Sequence, residues 1–319
     1  MPFLPNSKVQ TSPVGVGCAY LAEGLRLADD ARVIDIAFEA GARHFDVAPQ
    51  YGLGTAEKVL GYALREKRAY VTIVSKVGIP RGRASKAQLV SRALAAPLRR
   101  YLRRKGPTAT ATSGASARNF DVDYVERSLG ESLGFLRTDY LDAWLLHMVS
   151  LDDLTDELLA FLIGRRTAGV VGAFGLATTR QETARILAAF PGIFDVVQYS
   201  WSVLDDPLES DGGNPFLITH RSLMRAYRPL LDWFAADVKA RDRLSASAGV
   251  DLADPRQLSS ALVGAAVAVN PNGIALVASR SPARTRDNVT AAQDELVLAA
   301  GRRLADALLL EPERPRPPQ

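Results

Sequence analysis

The stretch GARHFDVAPQYGLGTAEKVLG, residues 41–61, reads as a strand, a turn and the start of a helix. Asp46 stands at the end of a short apolar run, HFDVA, and Tyr51 follows five residues later in a turn rich in Pro and Gly. Apolar residues then recur at helical spacing through AEKVLGYALRE. An acid and a phenol at a strand end suit proton transfer, because a phenol becomes a useful acid only when neighbouring charges tune it. The stretch is therefore one βα unit with candidate chemistry at the strand's C-terminal end.

Working outward, the same unit repeats. Short β-branched or apolar runs occur at VGVG (14–17), HFDV (44–47), VTIVSK (71–76), LDAWLLH (141–147), VGAFGL (171–176), DVVQYS (195–200), FLITH (216–220) and IALVAS (274–279). Helical spacing marks ARVIDIAFEA, AEKVLGYALRE, DYVERSLGESLGFL, LTDELLAFLIGRRTAG and TRQETARILAAF between them. Asp152 and Thr178 are candidate helix caps, Gly41 and Gly169 candidate C-terminal stops, and Pro191 follows a helix. Eight strands alternating with helices predict a single-domain α/β fold, a closed (β/α)8 TIM barrel over residues 1–310. The first strand lacks the GxGxxG turn of a dinucleotide-binding open sheet: VGVGCAYLAEG has two of its glycines and no immediate helix. Two segments break the alternation. Residues 79–119 form a long connection after strand 3, with an Ala/Thr/Ser/Gly-rich part that reads as a flexible loop, and residues 311–319 form a Pro-rich tail expected to be extended.

The totals agree with that frame. The chain has 319 residues, 47% apolar and 23% charged, enough to bury a full core. Its single cysteine, Cys18, excludes an internal disulfide and reads as a small buried hydrophobe. With no basic-then-apolar leader and no apolar run of spanning length, a cytoplasmic location is expected. The net charge of +4 is unevenly spread, since residues 65–105 carry thirteen Lys and Arg against Glu66 alone. Only Tyr70 and Tyr101 interleave that block, so it reads as a solvated face or an attractor of anionic small molecules rather than a nucleic-acid interface. No metal cluster is read, and no nucleic-acid or membrane partner.

In a parallel barrel, chemistry projects from the C-terminal strand ends. Taken in order these carry Asp46, Lys76 and His147, with Tyr51 in the loop after Asp46. Lys76 closes the apolar run VTIVS, so its ammonium needs a carboxylate, and Asp46 on the neighbouring strand is the obvious one. Singly, each residue has a structural explanation: an ion pair, a core histidine, a loop aromatic. Together on consecutive strand ends they read as a site.

At this point the chain resembles the aldo-keto reductases, NAD(P)H-dependent (β/α)8-barrel oxidoreductases. The likeness runs from Val14 to Asn288 through RHFDVAPQYG with GTAEKVLGYAL, VTIVSKVG, DVDYVERSLGESLGFLRTDYLDAWLLH and SRSPARTRDNV. The resemblance implies a catalytic tetrad of Asp46, Tyr51, Lys76 and His147. Tyr51 would protonate a carbonyl oxygen as hydride reaches the carbon, Lys76 would lower the phenol's pKa, Asp46 would hold Lys76 charged, and His147 would direct the carbonyl. It further implies a carboxamide site at Gln198 and at the pair after strand 5. That pair is Ala177 and Thr178 here, of which only Thr178 can hydrogen-bond. Where relatives stack an aromatic on the nicotinamide, this chain has His220 or Arg221, followed by Ser222 and Leu223. Ser279, Arg280 and Arg284 would bind a 2′-phosphate at a helix start, and Asp287 and Asn288 would face adenine, favouring NADPH over NADH.

The implied substrate pocket comprises Tyr20, Pro49, Gln50 and Trp201, with the basic connection after Lys76 as a cover for acidic substrates. The expected function is NADPH-dependent reduction of an aldehyde or ketone, or the reverse oxidation of an alcohol or sugar, by a monomer or small homo-oligomer acting on small molecules. The alternative is a non-catalytic NADP(H)-binding barrel that regulates or scaffolds. A lyase using Lys76 as a Schiff-base amine needs an unpaired lysine, which Asp46 opposes.

Overall fold

The computed structural model describes residues 2–21, 27–82, 118–208 and 215–317. The strands are β1 (Val14–Gly17), β2 (His44–Asp46), β3 (Thr72–Val77), β4 (Leu141–His147), β5 (Val171–Ala177), β6 (Val196–Ser200), β7 (Phe216–His220) and β8 (Ile274–Val277). All pair in parallel in chain order, and β8 returns to β1 to close the barrel. Every strand read from the sequence is present, three with the same ends and the others with ends moved by one or two residues.

Period-two alternation decides what fills the barrel. Val74, Ala143, Leu145, Ala173, Val196, Ile218, Ile274 and Leu276 form one interior cluster, joined by Leu4 from the N-terminal segment. Their neighbours in sequence, such as Phe45, Ile73, Trp144, Phe174 and Val197, belong to a larger cluster between the strands and the surrounding helices. This is why strands buried on both faces read as nearly continuous apolar runs.

The helices are α1 (Leu27–Glu39), α2 (Ala56–Leu64), α3 (Val122–Leu136), α4 (Asp156–Thr167), α5 (Arg180–Ala189), α6 (Ser222–Ala236), α7 (Val238–Ala248), α8 (Pro255–Ala268), α9 (Pro282–Ala291) and α10 (Glu295–Leu310). Two caps differ from expectation. Thr155, not Asp152, caps α4 by accepting from the Leu158 amide, and Thr179, not Thr178, caps α5 by accepting from the Glu182 amide. In each case the capping oxygen must precede the first helical residue, and Asp152 is taken up in a separate 3-10 turn. Gly41 and Gly169 end their helices at φ +108° and +72°, as glycines do.

The three consecutive helices between β7 and β8, and the last helix, are not delineated by sequence spacing. Helix α8 is buried over most of its surface, so it lacks a contrasting polar face. It crosses α10 at glycines: a Cβ on Gly264 would lie 2.3 Å from the Val297 carbonyl oxygen, and one on Gly301 would lie 2.1 Å from the Ala265 nitrogen.

Most of the long connection, residues 83–117, lies outside the described residues, and with it most of the basic cover expected after Lys76. Its flanks meet, since the Asn119 amide donates to the Gly78 carbonyl at 2.8 Å. The described part of the tail has no helix or strand, but Glu311 pairs with Arg243 at 3.1 Å and Arg314 donates to the Leu308 carbonyl. Among the described residues, no helix is long and apolar enough to cross a membrane.

Candidate active site

The alternation that points Val74, Leu145, Val196 and Ile218 inward also points Lys76, His147, Gln198 and His220 inward, two residues nearer the C-terminal end. There the interior changes from apolar to polar. Lys76 Nζ lies 2.6 Å from both oxygens of Asp46 and 3.3 Å from the Val47 carbonyl. Both residues are almost wholly buried, at 1% and 3% exposure. Gln198 Nε2 donates to Asp46 Oδ2 at 2.7 Å, across 152 residues of chain. Asp46 therefore accepts three bonds, so both of its buried oxygens are satisfied.

Burial alone would lower the pKa of Lys76. Burial is the largest single effect, but the charge and hydrogen bond of Asp46 together with Tyr51 and Cys18 outweigh it, and the pKa is raised. Lys76 is thus a fixed cation. This agrees with the pairing read from the sequence and leaves the amine unsuited to nucleophilic attack.

Tyr51 opens a 3-10 turn, Tyr51–Gly54, in which Gly52 and Leu53 are left-handed, at φ +57° each. Gly54 has φ +88°, and a Cβ there would come within 2.4 Å of the Gly82 carbonyl oxygen, so this turn requires glycine. The turn carries the Tyr51 ring to 5.5 Å from Lys76 Nζ. Here one expectation is corrected. Lys76 does pull the phenol's pKa down, but burial is the larger effect and Asp46 opposes Lys76, so the Tyr51 pKa is raised. The physical reason is first that burial disfavours a phenolate, and second that Lys76 does not act as a lone cation, because its carboxylate partner sits beside it.

His147, at the end of β4, is half-buried, and its Nδ1 lies 2.9 Å from Gln50 Nε2. Burial, then Lys76 and His220, push its pKa down to about 3, so the imidazole is neutral at physiological pH. His220 is likewise depressed to about 3, by burial, Arg221 and Lys76. The structure thus gathers Asp46, Lys76, Tyr51, His147, Gln50, Gln198 and His220 at one end of the barrel.

Sequence reading missed three features here. The bonds Gln198–Asp46 and Gln50–His147 join residues that no spacing connects. His220, named beside Arg221 for the nicotinamide ring, shares the inward parity of Ile218, and that parity could have placed it with Lys76 and His147. A third feature underlies the Tyr51 turn. Glu57, wholly buried, accepts from Ser75 Oγ at 2.6 Å and from Arg81 Nη2 at 2.6 Å, while Arg81 also reaches the Gly54 carbonyl and Glu131.

The residues named for a dinucleotide lie along β5 to β8. Thr178 is 8% exposed at the end of β5, beside Ala177. Arg221, exposed and at φ +63°, is the residue before α6 and makes no side-chain cap. Its charge reaches both Tyr51 and His220. Ser222 opens that helix with a buried Oγ that has no hydrogen-bond partner, and Leu223 is half-buried. At the other helix start, Ser281 caps α9 by accepting from the Arg284 amide, and Ser279 Oγ accepts from the Ser281 amide. Arg280 lies over the Tyr20 ring at 5.8 Å; Arg284 and Asp287 are exposed and Asn288 half-buried. Of the pocket residues, Pro49 is buried beside Gln50. Trp201 is buried too: its indole N–H donates to the Asp206 carbonyl, and it lines a side groove with Val269 and Arg302.

The sequence profile of the aldo/keto reductase family matches residues 13–300. The chain belongs to this family. Its aldo/keto reductase barrel is similar to that of a glycerol dehydrogenase from Gluconobacter oxydans, at 18% identity and a TM-score of 0.70, covering 100% of this chain and 98% of that one. It is also similar to an aldo-keto reductase from Klebsiella pneumoniae in complex with NADPH, at 19% identity and a TM-score of 0.67, covering 100% and 99%. In sequence it is 24% identical over 184 residues to the uncharacterized oxidoreductase YqkF of Bacillus subtilis (strain 168), covering 57% of this chain and 50% of the relative. It is 43% identical over 78 residues to the pyridoxal 4-dehydrogenase of Microbacterium luteolum, covering 24% and 23%. The chain thus spans half or less of the length of these two curated relatives.

Proposed function

We propose that this barrel is an NADPH-dependent oxidoreductase that interconverts an aldehyde or ketone with its alcohol, with Tyr51 as general acid in reduction and general base in oxidation. The observation that carries the reading is the buried Lys76–Asp46 pair set against the Tyr51 ring. Such a pair has no role in filling an apolar core and holds a cation where a phenolate would form.

The residues present fit a dinucleotide. The orphaned Ser222 Oγ and the uncapped start of α6 are unfilled hydrogen-bonding groups beside a free cation-bearing turn, suited to a pyrophosphate. Gln198 has its amide nitrogen on Asp46, leaving Oε1 as an acceptor for a carboxamide, and Thr178 supplies a hydroxyl beside it. Arg280 and Arg284 at the start of α9 suit a 2′-phosphate. NADPH, when bound, would supply the hydride equivalents. The chain's own part is to hold and move a proton. His147 orients the carbonyl by hydrogen bonding, Tyr51 gives its proton to the oxygen that gains negative charge, and Lys76 stabilises the phenolate left behind. Asp46 and Gln198 do not touch substrate; they keep Lys76 charged and in place.

A small carbonyl compound or alcohol is the proposed substrate, and a cytoplasmic location suits the buried thiol of Cys18. Ala177, whose methyl stands where a hydroxyl would serve the carboxamide, favours a second reading in which the barrel binds NADP(H) and regulates without turnover. Cofactor fluorescence separates the two. The oxidoreductase reading expects NADPH to bind more tightly than NADH and to be consumed with members of a panel of aldehydes and ketones. Binding without turnover of any of them supports the regulatory reading, and no binding of either nucleotide defeats both.

A further inference from the structure

We propose that Gln50 is a positioning residue that fixes His147 in the tautomer carrying its proton on Nε2, so that an N–H rather than a lone pair faces the substrate oxygen. The proposal rests on the reading of His147 as the group that orients the carbonyl.

The geometry is specific. Gln50 Nε2 lies 2.9 Å from His147 Nδ1. An amide nitrogen only donates, so Nδ1 must accept. His147 is neutral, because burial and the nearby Lys76 oppose its protonation. A neutral imidazole has one N–H, and with Nδ1 accepting, that proton sits on Nε2. Among the described residues, no hydrogen bond is made to His147 Nε2. It is the free end of the ring.

The opposite arrangement is disfavoured. Turning the Gln50 amide over would place Oε1 at Nδ1 and leave both amide N–H groups without acceptors in a buried spot. At present the unfilled group is Oε1, a carbonyl oxygen. Buried carbonyls without a full set of partners are better tolerated than buried N–H groups without one.

Gln50 immediately precedes Tyr51 and its 3-10 turn. One short segment therefore sets both the proton donor and the tautomer of the second polar group. If His147 carried its proton on Nδ1, the lone pair at Nε2 would meet the lone pairs of a carbonyl oxygen, and the ring would repel the group it is placed to bind.

Histidine tautomers are read directly by long-range ¹H–¹⁵N spectra of the full chain labelled with ¹⁵N-histidine. The sequence holds three histidines, His44, His147 and His220, so His147→Asn assigns the relevant signals. We expect wild type to show an unprotonated Nδ1 and a protonated Nε2. Gln50→Glu, the same shape with only acceptors, should move a proton onto Nδ1. Gln50→Met should give a mixture of tautomers. The kinetic counterpart is a fall in kcat for carbonyl reduction of about 10–100-fold in Gln50→Glu, with NADPH affinity changed by less than about twofold. An unchanged His44 signal, from deep in the barrel, reports that the fold is intact.

A wild-type spectrum with the proton on Nδ1 overturns the proposal, as does an unprotonated Nδ1 that persists in Gln50→Glu. If Gln50→Glu does not fold, the wild-type and Gln50→Met spectra decide. If the protein turns over no carbonyl compound, the proposed function fails while the tautomer result still stands or falls by itself.

Discussion

At Tyr51, the structure alters the account of how a phenol is tuned. Burial and Asp46 together outweigh Lys76, so the free site holds a protonated tyrosine with a pKa above its usual 10.0. That state suits the proposed reduction, in which the phenol would give up a proton. We expect kcat for reduction to be flat across neutral pH up to about pH 9, and the reverse oxidation, which needs phenolate, to rise about tenfold per pH unit over the same range. Initial rates in both directions against pH check this; an oxidation rate that levels off near neutrality would mean a phenol pKa lowered, not raised. The Lys76–Asp46 pair makes a second prediction. Asp46→Asn leaves a buried ammonium without its counter-charge, and loss of one partner of such a pair destabilises by about 3–5 kcal/mol. Lys76→Met/Asp46→Asn should be more stable than Asp46→Asn alone, as measured by urea unfolding. Much of this was legible: strand-end positions alone paired Asp46 with Lys76 and placed Tyr51 and His147 near them. The direction of the Tyr51 shift was not, because burial depth and the net charge of a pair are properties of the assembled site.

At the scale of elements, the βα unit that carries Tyr51 is braced from behind. Glu57 on α2 accepts from Ser75 on β3, and Arg81 links Glu57 to the Gly54 carbonyl and to Glu131 on α3. The brace ties the turn to three elements at once. Arg81→Met would leave Glu57 buried and unpaired, costing about 3–5 kcal/mol. Adding Glu57→Gln to Arg81→Met should restore part of that loss, since a neutral amide needs no counter-charge. Thermal or urea unfolding of the two variants tests the pairing, and equal stabilities would count against it. The sequence revealed the elements of this brace but not the brace. Glu57 sits one turn from apolar Val59 and Leu60 and reads as an ordinary helix-start acid. Its burial follows from the packing of α2 against α3 and β3. The C-terminal helices were harder still, because α8 is apolar on nearly every face and its crossing with α10 depends on Gly264 and Gly301.

The whole molecule carries three neutral histidines in its interior. His44 sits deep in the barrel with Nδ1 2.9 Å from Thr72 Oγ1 and no partner on Nε2, and burial lowers its pKa to about 3, as for His147 and His220. Unfolding returns each to a pKa near 6.5, so between about pH 3 and 6.5 the unfolded chain binds more protons than the folded one. Stability should therefore be full above about pH 6.5 and fall below it, by up to about 1.4 kcal/mol per pH unit for each histidine. Unfolding free energies from pH 7 down to 5, above the carboxylate range, measure the effect, and His147→Asn should remove about one third of the slope. A slope of zero would mean that these rings are not buried neutral. The barrel itself was legible throughout, since eight strands in order with inward polar groups at one end leave little freedom in topology. What spacing could not convey was which inward groups bond across the barrel, as Gln198 does to Asp46.

Tyr51 is the group proposed to move the proton. The direct test is single-turnover carbonyl reduction by the NADPH-loaded protein and its Tyr51→Phe variant. We expect NADPH affinity within about twofold of wild type and a loss of about 10²–10⁴-fold in the reduction rate, the contribution of a positioned general acid. A variant that reduces the same compound at the wild-type rate would contradict it.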